Sequence, residues 1–364
     1  MPLDLKPLTA LRFAAAMWVV CHHFWPHLQG GGAPALVGRG YLGVEMFFVL
    51  SGFILSHVYL ESFGEGRFRY GAFLWARIAR IYPLHLAVLA GLGALAAAAA
   101  AAGMQLSGAL VDWRALPANL LLLHAWGLAP ASAWNHPSWS ISAEWFAYLA
   151  FPAFAWAAWR LRGRPSLAVI GALILLFGVF AAFRALAGFD LSEATFRWGA
   201  LRIVPCFAYG CALWLMWRGQ AIVRPGDAAL WSAAFAALIV VLAQMGAPNP
   251  VMITAFGGLI LSLASLTSTG SRLLSGRVGV WLGEISYAVY MVCFPWLLVY
   301  GKAMEKLFGF GEALPLAWWL PLLVGVVPLA AVMHHLVERP ARSFLRRWAD
   351  RGFPIGGRAL TRPA

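Results

Sequence analysis

Residues 8–27, LTALRFAAAMWVVCHHFWPH, form an apolar block whose length matches the thickness of a membrane. As an α-helix, a block of about twenty residues extends ~30 Å, which is the depth of the hydrocarbon core of a bilayer. Comparable blocks recur along the chain, which is 62% hydrophobic and only 11% charged. Soluble domains are about half apolar and about a quarter charged. The sequence therefore predicts an all-α polytopic membrane protein.

Ten blocks of this kind are predicted to cross the membrane, at residues 8–27, 42–60, 84–103, 141–161, 166–187, 195–217, 228–246, 250–269, 278–300 and 315–337. A further apolar stretch, LPANLLLLHAW at 116–126, is too short to cross, so we interpret it as interfacial or re-entrant. The expected organisation is a membrane domain over residues 1–345, followed by a basic cytoplasmic tail over residues 346–364.

The distribution of positive charge supports ten spans. With a cytoplasmic N-terminus, twenty of the 27 lysines and arginines lie on the inner side, and six lie on the outer side. An eleventh span at 116–126 would move every later loop to the opposite side and remove this asymmetry. Because cationic residues collect in cytoplasmic loops, the sequence predicts about ten transmembrane helices with both the N- and C-termini in the cytoplasm.

The same rule accounts for the net charge of +13 and the pI near 10.3, so the charge does not indicate a nucleic-acid partner. The four cysteines lie inside apolar blocks, and none belongs to a C-x-x-C pair. Thiols in such blocks are typical buried structural residues. Neither a disulfide framework nor a metal site is predicted.

The first apolar block carries Arg12 and His23, eleven residues apart. On a helix this spacing leaves the two side chains ~20° from one face and ~16 Å apart along the axis. His22 points ~80° away, so we interpret it as a packing or hydrogen-bonding neighbour. Ionisable groups inside membrane spans are costly and are usually functional. His23 and Arg12 are therefore candidate functional residues.

Three further charged residues are expected at a depth similar to that of His23. Glu45 and Glu144 each lie about three residues inside a span that enters from the outside, and Arg202 lies about seven residues inside the sixth span. A histidine, two carboxylates and an arginine in one half of the bilayer indicate a buried reaction or relay site. A structural cluster of ion pairs is the alternative.

The opposite face of the membrane has a different pattern. The segment FRYGAFLWARIARIYP, residues 68–83, places Arg77 and Arg80 on one helical face beside the cytoplasmic boundary. Arginine pairs bind phosphates through bidentate hydrogen bonds. Arginines that extend to the interface and only set topology would give the same pattern. The sequence leaves both interpretations open.

Seven segments, taken in order, resemble the acyltransferase 3 family of integral membrane acyltransferases. They are LTALRFAAAMWVVCHHF, GYLGVEMFFVLSGFILS, WARIARIYPLH, SWSISAEWFAYLAFP, LRIVPCFAYGCAL, LGEISYAVYMVCFP and VERPAR. The first contains the arginine of the family's opening helix, then ten residues, then its histidine, and this spacing selects Arg12 and His23. The sequence departs from the family pattern at Glu45, where aspartate is frequent, at Trp145, where a second acid is frequent, and at Cys293, where a histidine is frequent.

The resemblance implies that residues 1–345 form an acyltransferase domain in the cytoplasmic (inner) membrane of a bacterium. The implied reaction moves an acyl group, often acetyl from acetyl-CoA, to a hydroxyl of a carbohydrate or glycolipid. Acyl-CoA would be a substrate that arrives from the cytoplasm, and no permanently bound cofactor is expected. The acceptor would arrive from the membrane or from the far side.

In this interpretation Arg77 and Arg80 hold the phosphates of CoA, and Arg12 lies along the path of the pantetheine arm. His23 takes the proton from the acceptor hydroxyl, a frequent use of a residue whose pKa lies near neutrality. A covalent acyl-histidine is a second possibility.

Two assignments stay open. Glu45 or Glu144 would orient the imidazole of His23, as the acid of a catalytic triad does, and Arg202 or Ser142 would stabilise the oxyanion. A proton-coupled secondary transporter that uses the same histidine and glutamates is the alternative function. Transporters often show paired halves with matching broken helices, and no such halves are visible in this sequence.

Overall fold

The computed structural model describes residues 5–103, 111–130, 132–219, 224, 226–266 and 274–350. Within these ranges the chain is helical and has no β-strand, apart from one isolated bridge between Leu28 and Leu314. The α-helices are α1 (Lys6–Phe24), α2 (Ala35–Gly38), α3 (Gly43–Gly64), α4 (Tyr70–Ala101), α5 (Leu116–Leu120), α6 (Trp139–Leu149), α7 (Phe151–Arg160), α8 (Pro165–Ala187), α9 (Gly199–Arg218), α10 (Ala228–Gln244), α11 (Asn249–Ala264), α12 (Arg277–Phe308), α13 (Leu316–Met333) and α14 (Arg339–Asp350).

Each of the ten predicted blocks contains helix, but in the described part of the chain only six helices are long and apolar enough to cross a membrane. They cover Gly40–Gly64, Tyr70–Ala101, Pro165–Ala187, Gly199–Arg218, Arg277–Phe308 and Leu316–Ala349. The polar side chains of α1 lower its mean hydropathy, and the fourth block is broken into α6 and α7 at Ala150. Helices α10 and α11 have 17 and 16 residues, about 25 Å of helix. The described part of the chain thus forms an all-α membrane fold with six such helices.

The stretch at 116–126 does not form a long helix. Helix α5 has five residues, and the chain then turns through Leu122, whose φ of 56° is left-handed. Ser142 of α6 holds this turn through hydrogen bonds to the backbone of Leu122 and Ala125. The segment is therefore too short to cross, in agreement with the sequence-based interpretation.

Close packing of small residues places the two helices that carry Glu45 and Arg202 side by side. Gly52 of α3 lies against the backbone of Phe207, and Gly210 of α9 lies against the backbone of Val49. A Cβ atom at either glycine would collide with the neighbouring main chain. Small residues allow such close approach in membrane helices. Helices α1 and α12 also pack together, where Gly283 of α12 lies against Thr9 of α1.

The C-terminal part of the described chain forms one long helical segment with a wider turn inside it. A π-helical turn, His334–Glu338, connects α13 to α14. Helix α14 is fixed to α4 by Trp75, whose indole N–H donates to the carbonyl oxygen of Leu345 at 2.9 Å. The predicted boundary between residues 345 and 346 therefore falls inside a helix. Residues 351–364 of the predicted tail lie outside the described residues.

Candidate active site

A cavity of about 300 Å³ lies where the C-terminal end of α1 meets the N-terminal ends of α6 and α9. We call it the histidine cavity, because three of its lining residues are His22, His23 and His136. The other lining residues are Tyr41, Val44, Pro137, Trp139, Ser192, Glu193, Thr195, Arg202 and Tyr290. Aromatic rings, hydroxyl groups and imidazoles thus surround a space of small-molecule size.

His23 is held by its own helix. Its Nδ1 atom lies 2.8 Å from the carbonyl oxygen of Val19, one turn earlier in α1. A carbonyl oxygen only accepts hydrogen bonds, so Nδ1 carries the hydrogen and donates it. In the neutral ring the Nε2 atom is then the basic nitrogen. The imidazole is therefore fixed as the tautomer that can accept a proton at Nε2.

His22 also lines the cavity, although its direction on α1 differs from that of His23. The Nδ1 atom of His22 donates to the carbonyl oxygen of Val37 at 3.2 Å, and its ring centroid lies 5.3 Å from that of His23. The cavity extends around the end of α1 far enough for both rings to border it. The different directions of His22 and His23 on α1 therefore do not keep their rings apart, and both border the same cavity.

His136 is a functional candidate that the sequence argument missed. It lies in the turn His136–Ser138 before α6, and this turn is fixed to α12. Asn135 Nδ2 donates to the carbonyl oxygen of Met291 at 3.0 Å, and Tyr290 Oη donates to that of Pro137 at 2.9 Å. Burial, with a smaller effect of nearby His23, lowers the pKa of His136 to about 4. The available signal was its place three residues before Trp139, which opens α6.

Glu45 pairs with Arg202 and makes no hydrogen bond to His23. The Nε atom of Arg202 lies 2.5 Å from Oε1 of Glu45, and the side chains are 2% and 0% exposed. A second nitrogen of Arg202 donates to the carbonyl oxygen of Ala194 at 3.0 Å, and the guanidinium lies 4.5 Å from the ring centre of Trp139. The sequence left Glu45 or Glu144 open as the residue that orients the imidazole. In the structure the Nδ1 atom of His23 contacts the Val19 carbonyl oxygen, and Glu45 contacts Arg202.

This ion pair leaves two polar atoms without hydrogen-bond partners among the described residues. They are Oε2 of Glu45 and Nη2 of Arg202, and both are buried. Unpaired buried polar atoms are costly, and in native proteins they often mark sites where a ligand or water binds. Since Arg202 also lines the cavity, its unused N–H group is a candidate donor to a bound oxygen.

Glu144 belongs to a different network from Glu45. Ser51 Oγ and Tyr148 Oη each donate to Oε1 of Glu144 at 2.6 Å, and Glu144 does not line the cavity. Helix α6 begins at Trp139, two residues earlier than predicted, so Glu144 lies five residues along it. Glu45 lies in the first turn of α3. Glu45 thus contacts Arg202, which lines the cavity, whereas the hydrogen-bond partners of Glu144 do not line it.

Ser142 fixes the neighbouring turn. Its hydroxyl donates to the carbonyl oxygen of Leu122 at 2.7 Å and accepts the N–H of Ala125 at 3.0 Å. The side chain is fully buried and does not line the cavity. Its hydroxyl hydrogen is therefore used within the protein, and the expected role in stabilising an oxyanion has no geometric support.

Arg12, Arg77 and Arg80 lie in a second region, which we call the arginine cluster. Arg12 is within electrostatic range of Arg80, Glu144 and Glu338. The guanidinium of Arg77 lies 5.8–5.9 Å from the ring centres of Tyr59, Phe73 and Tyr148.

The Nη2 atom of Arg77 lies 3.4 Å from Tyr59 Oη, and its Nε atom is buried without a partner among the described residues. Three aromatic rings thus surround the guanidinium of Arg77, which keeps an N–H donor that no described residue uses. Within the described residues, no group of three histidine, cysteine, aspartate or glutamate side chains is arranged to hold a metal ion.

Helix α1 connects the two regions. It carries Arg12 in the arginine cluster and His23 at the histidine cavity, about 16 Å apart along its axis. The separation predicted from the spacing of these residues is therefore kept in the structure. The arrangement places the imidazole of His23 beside a small cavity and a group of arginines about 16 Å away along α1.

Comparison with known proteins gives the family. The profile of the acyltransferase 3 family, described as an acyltransferase domain, matches residues 6–335. The acyltransferase MdmB of Streptomyces mycarofaciens is 31% identical over 379 residues, which cover 94% of this chain and 93% of that protein. YrhL of Bacillus subtilis strain 168, whose name proposes a peptidoglycan O-acetyltransferase, is 25% identical over 93% of this chain and 56% of its own length.

A third relative, Protein 2 in the picA locus of Rhizobium radiobacter, is 41% identical over 91 residues, which are 24% of this chain and 43% of that protein. No solved structure matches the chain. The profile covers most of the chain, and one relative aligns over nearly the whole of both proteins. The chain therefore belongs to the acyltransferase 3 family, and it is an O-acyltransferase with the helices of an integral membrane protein.

Proposed function

We propose that the protein transfers an acyl group, acetyl from acetyl-CoA, to a hydroxyl of a carbohydrate or glycolipid, with His23 as the general base. The observation that carries this proposal is the position of His23. Its ring borders the cavity while the Val19 carbonyl holds the hydrogen of Nδ1, so Nε2 is the proton acceptor. An imidazole in this state suits proton abstraction from an alcohol near neutral pH.

The reaction proceeds by direct transfer. Nε2 of His23 takes the hydroxyl proton of the acceptor as the acceptor oxygen attacks the thioester carbonyl. The carbonyl oxygen becomes an oxyanion beside the unused N–H of Arg202, a preorganised charge of the kind that stabilises such intermediates. The C–S bond then breaks, and the CoA thiolate receives the proton from His23. The products are the acyl ester and free CoA.

The donor enters from the side of the arginine cluster. Arg77 and Arg80 hold its phosphates, and Arg12 lies beside the arm that carries the thioester toward His23. The proposed topology has ten crossings with both termini in the cytoplasm of a bacterium, and it places the cluster on the cytoplasmic side of the inner membrane. The distribution of lysine and arginine supports this orientation.

The relatives support the acceptor class. The name of YrhL proposes O-acetylation of peptidoglycan, which is a carbohydrate polymer, and MdmB is named only as an acyltransferase. Acetyl as the acyl group and a sugar hydroxyl as the acceptor fit both names. The family and these two relatives are named for acyl transfer, which favours an acyltransferase over a proton-coupled transporter.

The test uses purified protein in lipid vesicles with radiolabelled acetyl-CoA and extracted cell-envelope glycolipids and glycans. We expect release of free CoA together with a labelled ester whose mass rises by one acetyl group. His23→Ala should stop both. The matched control is His27→Ala, because His27 Nδ1 lies 2.9 Å from the carbonyl oxygen of Glu312 and its ring does not line the cavity. Uptake of substrate without release of CoA would contradict the proposal.

A further inference from the structure

The segment VERPAR, residues 337–342, reaches the arginine cluster from the far end of the chain. The π-helical turn ends at Glu338, whose side chain is buried. Nδ1 of His334 lies 2.9 Å from Oε2 of Glu338. The extra residue in a π turn changes the direction of side chains, and such turns are frequent at functional sites. Here the turn brings Glu338 within electrostatic range of Arg12.

Arg342, one turn after Glu338, belongs to the same cluster. It is half-buried and lies within electrostatic range of Arg77, Arg80 and Glu338. Its Nε atom is buried and has no hydrogen-bond partner among the described residues. Trp75 of α4 fixes the backbone of α14 one turn further on, at Leu345. Helix α14 therefore presents an arginine to the same place as α1 and α4.

The cluster as a whole has more positive than negative charge. Its carboxylates are Glu144 and Glu338, and its cations are Arg12, Arg77, Arg80, Arg342 and Arg346. Like charges repel strongly where water is scarce, so this excess favours a bound anion of several charges. A phosphate monoester carries about two negative charges, and CoA contains one such group in addition to a pyrophosphate.

We propose that Arg342 is a third phosphate-binding arginine of the acyl-CoA site. The inference rests on the proposed acyl-CoA donor. The planar guanidinium of Arg342 completes a group with Arg77 and Arg80, and arginine forks match phosphate oxygens in geometry and charge. Glu338 lies close enough to compensate part of the cationic charge before the donor binds.

The test measures CoA binding by calorimetry in nanodiscs, together with the steady-state KM and kcat for acetyl-CoA. Arg342→Ala should raise both the Kd for CoA and the KM about tenfold or more, because a charge-assisted contact is lost, and should leave kcat nearly unchanged. Arg342→Lys, which keeps the charge and loses the fork, should fall between. Arg347→Ala is the matched control, since Arg347 lies on the same helix and is exposed.

The outcomes separate the two proposals. If wild-type protein does not bind CoA, the proposed donor fails, and this inference fails with it. If wild-type protein binds CoA and Arg342→Ala binds it equally well, only the role of Arg342 is overturned. If Arg342→Ala and Arg347→Ala weaken CoA binding equally, the effect comes from net charge and not from a specific contact. A fall in kcat without a rise in KM would assign Arg342 a structural role instead. Either this result or equal weakening in the two variants would overturn the inference.

Discussion

The histidine cavity and the arginine cluster handle charge in opposite ways. At the cavity, the buried cation Arg202 is paired with Glu45, and His136 is neutral because burial lowers its pKa to about 4. In the cluster, arginines outnumber carboxylates, and donor atoms of Arg77 and Arg342 stay unpaired among the described residues. One helix, α1, serves both regions.

This difference matches the two reactants of the proposed reaction. An alcohol is uncharged, so its site needs a base and a shaped polar wall rather than excess charge. A donor with several phosphates needs cations to replace its lost hydration. Helix α1 also links the two sites, because the spacing between Arg12 and His23 sets the distance between the donor phosphates and the reacting group.

The largest effect is expected from His23→Ala. Loss of the general base should lower kcat by about 10²- to 10⁴-fold, since proton transfer by a positioned side chain contributes that much. The Kd for CoA should stay unchanged, because His23 lies one helix segment away from the cluster. Kinetics and calorimetry on the same preparation check both parts. A parallel loss of CoA binding would merge the two regions into one site.

Glu45→Ala tests the pairing of charge at the cavity. Removal of one partner leaves Arg202 as an uncompensated buried cation, which typically costs about 3–5 kcal/mol. Thermal unfolding in detergent should show a large fall in Tm. The double variant Glu45→Leu with Arg202→Met should recover stability, because no buried charge remains, and it should still be inactive. A double variant as unstable as Glu45→Ala would show that packing, and not charge, decides this position.

Local patterns in the sequence predicted the helices and part of the site. Blocks of apolar residues give helices, and the spacing of Arg12 and His23 gives their separation, because both follow from the rise and turn of one helix. The grouping of Arg12 with Arg77 and Arg80 also agrees with their common expected side. None of these inferences depends on a contact between distant parts of the chain.

Distant contacts decided what the sequence argument missed. The turn that presents His136 is held by Met291 and Tyr290, more than 150 positions away, and no periodic pattern records such contacts. Glu45 and Glu144 lie at similar distances from their predicted helix starts, but contacts with other helices place them in different networks. Glu45 pairs with Arg202, and Glu144 accepts from Ser51. Ser142 looked available in sequence, yet a turn with a left-handed residue uses its hydroxyl.

A smaller effect is expected from Arg77→Ala combined with Arg80→Ala. Loss of two phosphate contacts should raise the KM for acetyl-CoA about 10- to 100-fold, with a smaller change in kcat. Arg67→Ala combined with Arg69→Ala is the matched control, because these exposed arginines precede the same helix and remove the same charge. An unchanged KM in the first variant would return Arg77 and Arg80 to a purely topological role.

The smallest effect concerns His136 and tests whether its imidazole is neutral at the cavity. Its folded-state pKa is about 4, whereas an unfolded histidine has a pKa near 6.5. Between these values the unfolded chain binds a proton that the folded chain excludes, so stability rises with pH across this window and falls as pH decreases. At pH 5.5 the cost is about 1 kcal/mol. His136→Gln should therefore lose less thermal stability than wild type between pH 7.5 and pH 5.5. If wild type and His136→Gln lose the same thermal stability over this pH range, His136 is charged in the folded state. The contrast in charge between the cavity and the cluster then does not hold at this residue.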